Sequence, residues 1–151
     1  MSKVEEFLTP EEEKEVISAI RLAETKTSGE IRVHLEAHYN TPQHPVKNVF
    51  ERAEQVFDFL RMNNTKKSNG VLIYIAVEDK QLVIMGDTGI NNLVPDNFWE
   101  STTTKITSYF KQGEIKKGLV EGIIEVGYQL KNFFPYLSND KNELPNKISS
   151  S

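Results

Sequence analysis

The sequence contains no cysteine. Disulfides, a thiolate nucleophile and thiolate-ligated zinc are therefore excluded, and the composition fits a reducing compartment. Long apolar runs are also missing. The longest, Val71 to Val77, falls far short of the ~20 residues a membrane-spanning helix needs. The amino terminus, Met1-Ser2-Lys3-Val4-Glu5-Glu6-Phe7-Leu8, puts acids where a secretion signal carries a basic flank and an apolar run. A soluble, unexported, cytoplasmic protein is expected. Positive charge is scarce, with 18 Lys and Arg against 22 Asp and Glu and a net charge of -4. The densest basic cluster is only Lys66-Lys67, so no nucleic-acid partner is expected. Familiar catalytic signatures are absent too. There is no Walker A loop, no G-x-G-x-x-G, no G-x-S-x-G and no H-E-x-x-H.

What is present describes a single folded domain. The 151 residues, 38% hydrophobic and 26% charged, suffice for one core. Thr9-Pro10-Glu11-Glu12 combines an N-cap Thr, Pro at the first helical position and Glu three residues after the cap. Val16, Ile20 and Ala23 continue at helical spacing until Gly29. The period then switches to two. Ile31, Val33, Leu35 and Ala37 alternate with Glu30, Arg32, His34, Glu36 and His38, which predicts a half-buried strand near a sheet edge. Tyr39 to Pro45 is a loop, and a second helix runs from Val46 to about Met62. Val71 to Val77 is apolar throughout, as a strand covered on both faces would be. Glu78-Asp79-Lys80 turns the chain into a third strand, Gln81 to Gly86. Gly86 to Asn92 is a loop. Pro95 opens a helix carrying Phe98, Trp99 and Ile106, which Gly113 breaks. A last helix spans Glu114 to Phe134, with Leu119, Ile123, Val126, Leu130 and Phe133 inward. Gly118 and Gly122 on it permit close approach, and Pro135 stops it. The order is α-β-α-β-β-α-α: an α/β domain over residues 1–135, monomeric, with a loose polar tail over 136–151.

This order has a geometric consequence. Strands one and two, joined through a helix, run parallel, and strand three returns. Ser28-Gly29-Glu30, Asn69-Gly70 and Gly86-Asp87-Thr88-Gly89 therefore meet at one end of the sheet. Asn91 and Asp96 follow closely in sequence. Oxygen-bearing side chains suit hard cations such as calcium or magnesium. The same residue types are also ordinary turn formers, and Asp96 suits a helix start. The opposite end holds Glu36, the loop from Tyr39 to His44, and Glu78-Asp79. Ligands of open α/β sheets usually bind outside the carboxyl ends of the parallel strands, which favours that second end. His34, Glu36 and His38 share one strand face, with neighbours ~6.6 Å apart. They read more simply as partly exposed edge residues than as ligands. Asp87-Thr88-Gly89 also matches an aspartic-protease triplet, but such a site needs a second carboxylate in an all-β setting.

Together, Phe7-Leu8-Thr9, Ser28-Gly29-Glu30-Ile31, Asn69-Gly70-Val71-Leu72 and Gly86-Asp87-Thr88-Gly89-Ile90 resemble the TPM domain. That family takes its name from a thylakoid lumen protein, a photosystem repair protein and a nematode receptor modulator. The resemblance covers about Val4 to Pro135 and is greatest to short bacterial members. It implies a Rossmann-like α/β/α sandwich with a small mixed sheet. It also implies calcium binding in some members and acid phosphatase activity in plant ones. Carried over by motif, Glu30, Asn69, Asp87 and, in the hairpin turn, Asp79 would be cation ligands. Exported members have a membrane anchor or a Gly-rich tail that this sequence lacks, so a photosystem role does not carry over.

Three functions follow as expectations. The first is a divalent-cation site, calcium before magnesium, built from Glu30, Asn69, Asp79, Asp87, Asn91 and Asp96, with no chemistry of its own. The second is a metal-assisted phosphomonoesterase in which Arg32 or Lys66, both ordinary surface residues by default, holds the phosphate. The third is a module docking on a protein partner through Phe133, Phe134 and Tyr136.

Overall fold

The structure, a computed structural model, describes residues 6–65, 67–135 and 148–150. Helix α1, Pro10–Glu24, begins as its sequence dictates. The Thr9 hydroxyl accepts from the Glu12 amide, and the Glu12 carboxylate accepts from the Thr9 amide. This capping box satisfies donors that would otherwise be orphaned at the helix start. Strand β1, Glu30–Glu36, follows, then α2, Val49–Phe59, capped by the Asn48 side chain. Strands β2, Gly70–Ala76, and β3, Gln81–Gly86, form the expected hairpin, with Lys80 in the turn at φ 56°. A short α3, Thr88–Asn91, lies where a loop was expected. Asp87 caps it, a role Asp fills readily at a turn. Helix α4, Glu100–Lys111, starts later than Pro95 suggests, because Pro95 to Asn97 form a turn first. Helix α5 runs Ile115–Phe133, and a final strand β4 spans Ile148–Ser150.

The sheet order is β3-β2-β1-β4. β1 pairs parallel with β2, Glu30 opposite Gly70, and β3 returns antiparallel, Gly86 opposite Val71. The parallel pairing of β4 with β1 places Ser149 opposite His34. The tail expected over 136–151 lies outside the described residues except at 148–150, where the chain is a strand. That strand corrects a second expectation. β1 is not a sheet edge with one wet face: every residue from Glu30 to Glu36 is buried.

Helices cover both faces, so the domain is a mixed α/β sandwich. On one side Ile31, Val33, Leu35, Val71, Ile73 and Ile75 pack with Val16, Ile20, Ile106, Leu119, Ile123 and Val126. On the other Leu72, Tyr74, Ala76 and Val83 pack with Ala53, Val56, Phe57 and Met62 of and after α2. Each fully buried Ile or Leu contributes roughly 1.5–3 kcal/mol.

Phe133 is not wholly inward. It is 38% exposed, with its ring 5.9 Å from that of Phe98. Phe134 is half-buried, and its carbonyl accepts from the Ser28 amide at 2.8 Å. Tyr136, the remaining member of the expected docking patch, lies outside the described residues.

Candidate functional site

The two ends of the sheet carry different chemistry. At the amino ends of β1 and β2, three loops knit together. The Asp87 amide donates to the Gly70 carbonyl at 2.9 Å, fixing the end of β3 beside the start of β2. The Gly89 amide donates to the Ser68 carbonyl at 2.8 Å. Gly89 has to be glycine here: a Cβ would lie 2.3 Å from the Lys67 carbonyl and 2.5 Å from that of Ser68. The Asn91 side-chain Nδ2 donates to the Gly86 carbonyl at 2.9 Å. Asp87 and Asn91 tie this knot, while Glu30, paired with Gly70 in the sheet register, and Asn69, just before Gly70, lie beside it; Glu30, Asn69 and Asp87 are buried.

Several polar atoms at this end lack partners. Asp87 uses Oδ1 to accept from the Thr88 amide at 2.7 Å, while its Oδ2 is buried with no donor. Asn69 Nδ2, Ser28 Oγ and Glu24 Oε1 are likewise buried and unpaired. Glu24 reaches β1 from the last turn of α1, and its Oε2 accepts from the Ile31 amide at 2.9 Å. Burial pushes its carboxyl up to about 7, the Ile31 hydrogen bond opposes this, and the nearby Glu30 charge adds to it. The sequence carries a signal for Glu24. An acid in a helix's last turn opposes the helix dipole and needs another reason to be there.

Asp79 stands at the opposite end. Its Oδ1 meets His38 Nδ1 at 2.9 Å and its Oδ2 accepts from the Tyr39 amide at 2.8 Å, while Glu78 lies 3.2 Å from His38 Nε2. Partial burial works against the Asp79 charge, but the His38 and Tyr39 hydrogen bonds prevail and hold its pKa below the ordinary value. The Asp79 hydrogen bond, with both acidic charges adding, raises that of His38. These contacts close the hairpin turn onto the end of β1. Asp96 is exposed in the turn ahead of α4.

The polar face of β1 holds a third arrangement that alternation alone did not reveal. Glu36 binds Arg52 through both carboxylate oxygens, Nε to Oε2 at 2.7 Å and Nη2 to Oε1 at 3.0 Å, and the Tyr74 hydroxyl donates to the same carboxylate. Burial first, and then the Glu36 carboxylate, push the Tyr74 hydroxyl pKa up. The His34 ring stacks on Tyr74 with centroids 6.1 Å apart, and its Nδ1 lies 2.8 Å from Ser149 Oγ. Burial drives His34 down to about 4, with the Arg52 and Arg32 charges adding and Glu36 opposing. These are structural fastenings, not partly exposed edge residues. Arg52 was detectable in sequence, since it follows Val49 by three positions on the apolar side of α2. Arg32 is buried rather than a surface residue, and Lys66 lies outside the described residues.

A small mixed sheet between helical layers, with Gly- and Asp-bearing loops knotted at one end, defines the class: a mixed α/β sandwich domain. The family model for the TPM domain matches residues 1–129, and the chain belongs to that family. Among solved structures it is similar to the BA42 protein from the psychrophilic bacterium Bizionia argentinensis sp. nov., determined by NMR. The two are 56% identical over 100% of each chain, with a TM-score of 0.86. No curated protein matches it significantly. Among the described residues, no helix is long and apolar enough to cross a membrane.

Proposed function

We propose that the knot at the amino ends of β1 and β2 is a weak site for a hard divalent cation, calcium in preference to magnesium. The observation that carries this reading is Asp87 Oδ2, a carboxylate oxygen enclosed by protein with no hydrogen-bond donor. An ionised oxygen in that position is costly without compensation, and a cation compensates it. Asn91 comes from the same knot, with Glu30 and Asn69 beside it, so the donors are oxygens of the kind calcium takes. Calcium accepts six to eight oxygens in irregular geometry, including backbone and water, whereas magnesium demands a near-ideal octahedron. A loop knot fits the first requirement better. Among the described residues, no three His, Cys, Asp or Glu side chains stand together as a metal-binding group. Amide, backbone and water oxygens would therefore supply most of the shell. That places the dissociation constant at roughly 10⁻⁴–10⁻³ M, the range of weakly charged calcium modules.

Calorimetric titration of calcium into chelator-stripped protein tests the assignment. Asp87→Asn, which keeps the side chain's shape, should weaken binding by about tenfold or more, the loss of one charged donor. Asp79→Asn, at the other end of the sheet, should leave it unchanged. Unchanged affinity in Asp87→Asn, or loss confined to Asp79→Asn, rejects this location.

A further inference from the structure

Helices α1 and α5 lie side by side and run in the same direction. Lys116, at the start of α5, meets Glu15 of α1 at 3.3 Å. Further along both helices, Gly127 meets Ala23 so closely that an added Cβ would lie 2.7 Å from the Ala23 Cβ. The outward side of this pair holds an open groove of about 530 Å³. Leu22, Val120 and Ile124 are among the residues that line it. Leu22 is 53% exposed and Ile124 43%, and Tyr128, one turn beyond Ile124, is 65% exposed. Val120, Ile124 and Tyr128 recur every four residues, so they share one face of α5. Single exposed apolar residues are ordinary, but a stripe of them beside a groove marks an interaction surface.

The walls of the groove carry opposite charge. On the α1 wall Glu11 and Glu15 outweigh Lys14, which lies 3.9 Å from Glu11. On the α5 wall Lys116 and Lys117 are both positive. A partner helix of one charge sign would be repelled by one wall or the other. A second copy of the chain matches both at once. Turned about a two-fold axis parallel to the helices, it lays its α5 over α1 and its α1 over α5. Glu15 of each copy then faces the partner's Lys116, and Leu22 faces the partner's Ile124 and Tyr128. The ionic contact this needs is already made once inside each chain, between Lys116 and Glu15. Helix α1, with 15 residues, is ~22 Å long, and two helices each ~10 Å across cover roughly 450 Å² per copy. A standard interface takes about 800 Å² per partner, so this one is weak and dilute protein stays monomeric.

We propose that the groove between α1 and α5 docks a second copy of this chain, forming a weak two-fold dimer with the paired helices parallel. Sedimentation equilibrium of the full chain tests it, run in chelator and at low salt so that exposed charges are not screened. From about 10 µM to about 1 mM the average mass should climb from monomer towards dimer, as a weak interface fills. Over the same range, concentration-dependent amide NMR shifts should cluster on the outward faces of α1 and α5. Leu22→Glu and Ile124→Glu, at exposed positions, should each weaken association about tenfold or more by burying an unmatched charge. A charge swap tests the orientation and spares the apolar stripe. Glu15→Lys alone and Lys116→Glu alone set like charges across the interface, so each should associate less than the parent. Their equimolar mixture restores both cross-pairs and should associate better than either variant by itself. Protein that stays monomeric to about 1 mM, the upper end for an interface of this size, overturns the proposal. So does association unchanged by Leu22→Glu and Ile124→Glu, or a mixture that associates no better than its components.

Discussion

Replacing Arg52 with Met should cost the fold about 3–5 kcal/mol, the usual consequence of leaving one partner of a buried ion pair alone. The side chains of Arg52 and Glu36 are 8% and 6% exposed, and they meet through two hydrogen bonds at 2.7 and 3.0 Å. Met is unbranched and nearly as long as the arginine stem, so little cavity cost should arise. What remains is a buried carboxylate with Tyr74 as its surviving donor. Chemical denaturation at neutral pH, followed by circular dichroism, reads the loss as a lower midpoint with an unchanged slope. A second variant separates charge from packing. Glu36→Gln added to Arg52→Met removes the stranded charge and should recover about 1 kcal/mol or more, a coupling of the size neighbouring groups show. A loss below about 1 kcal/mol in Arg52→Met, well under the expected buried-pair penalty, would refute the reasoning. So would a double variant no more stable than the single one.

Further predictions concern packing and pH. A Cβ on Gly122 would sit 2.4 Å from Ile106 Cγ1 and Cδ1. Gly122→Ala should therefore lose about 1–3 kcal/mol to overpacking, offset in part by the roughly 1 kcal/mol that Ala gains over Gly in a helix. The cost should shrink when Ile106 is also changed to Val, as thermal unfolding would show. Burial lifts Glu24 from 4.5 to about 7, so its contribution to stability is complete below pH 4.5 and lost as pH rises through 7. Burial lowers His34 from 6.5 to about 4, so its contribution is complete above pH 6.5 and lost as pH falls towards 4. The two trends oppose each other between 4.5 and 6.5. Glu24→Gln should leave stability rising with pH across that window, and His34→Gln should leave it falling. Urea midpoints measured against pH check this; parallel profiles in Glu24→Gln and the parent would contradict it.

The parts of the fold visible in the sequence were those written in local patterns. The capping box at Thr9 and Glu12, the continuous apolar run of β2 and the Glu78-Asp79-Lys80 turn each follow from chemistry within a few residues. The convergence of Glu30, Asn69 and Asp87 also followed, because a helical crossover makes β1 and β2 parallel and so fixes which loops share an end. The environment of β1 did not follow. Period-two alternation shows that one face is polar but not whether water covers it. Here the cover comes from Ser149, 115 residues beyond His34, and from Arg52 on the next helix. Pairing at that range leaves no mark on a local window. The six proposed ligands divide for a related reason. Asp79 and Asp87 are eight residues apart in sequence, but β3 carries them to opposite ends of the sheet, and Asp96 lies past α3 in open solvent. The position of Glu24 in the last turn of α1 marks it as unusual, but its partner, the Ile31 amide, is a backbone group that side-chain patterns do not reveal.

The cation site is tested most directly by following amide NMR shifts residue by residue while calcium is added to chelator-stripped protein. Saturable shifts clustered at Gly29-Glu30, Asn69-Gly70 and Gly86 to Asn91, abolished by Asp87→Asn, are the expected result. Shifts centred on Glu36 and Asp79, or no saturable shift at millimolar calcium, would contradict it.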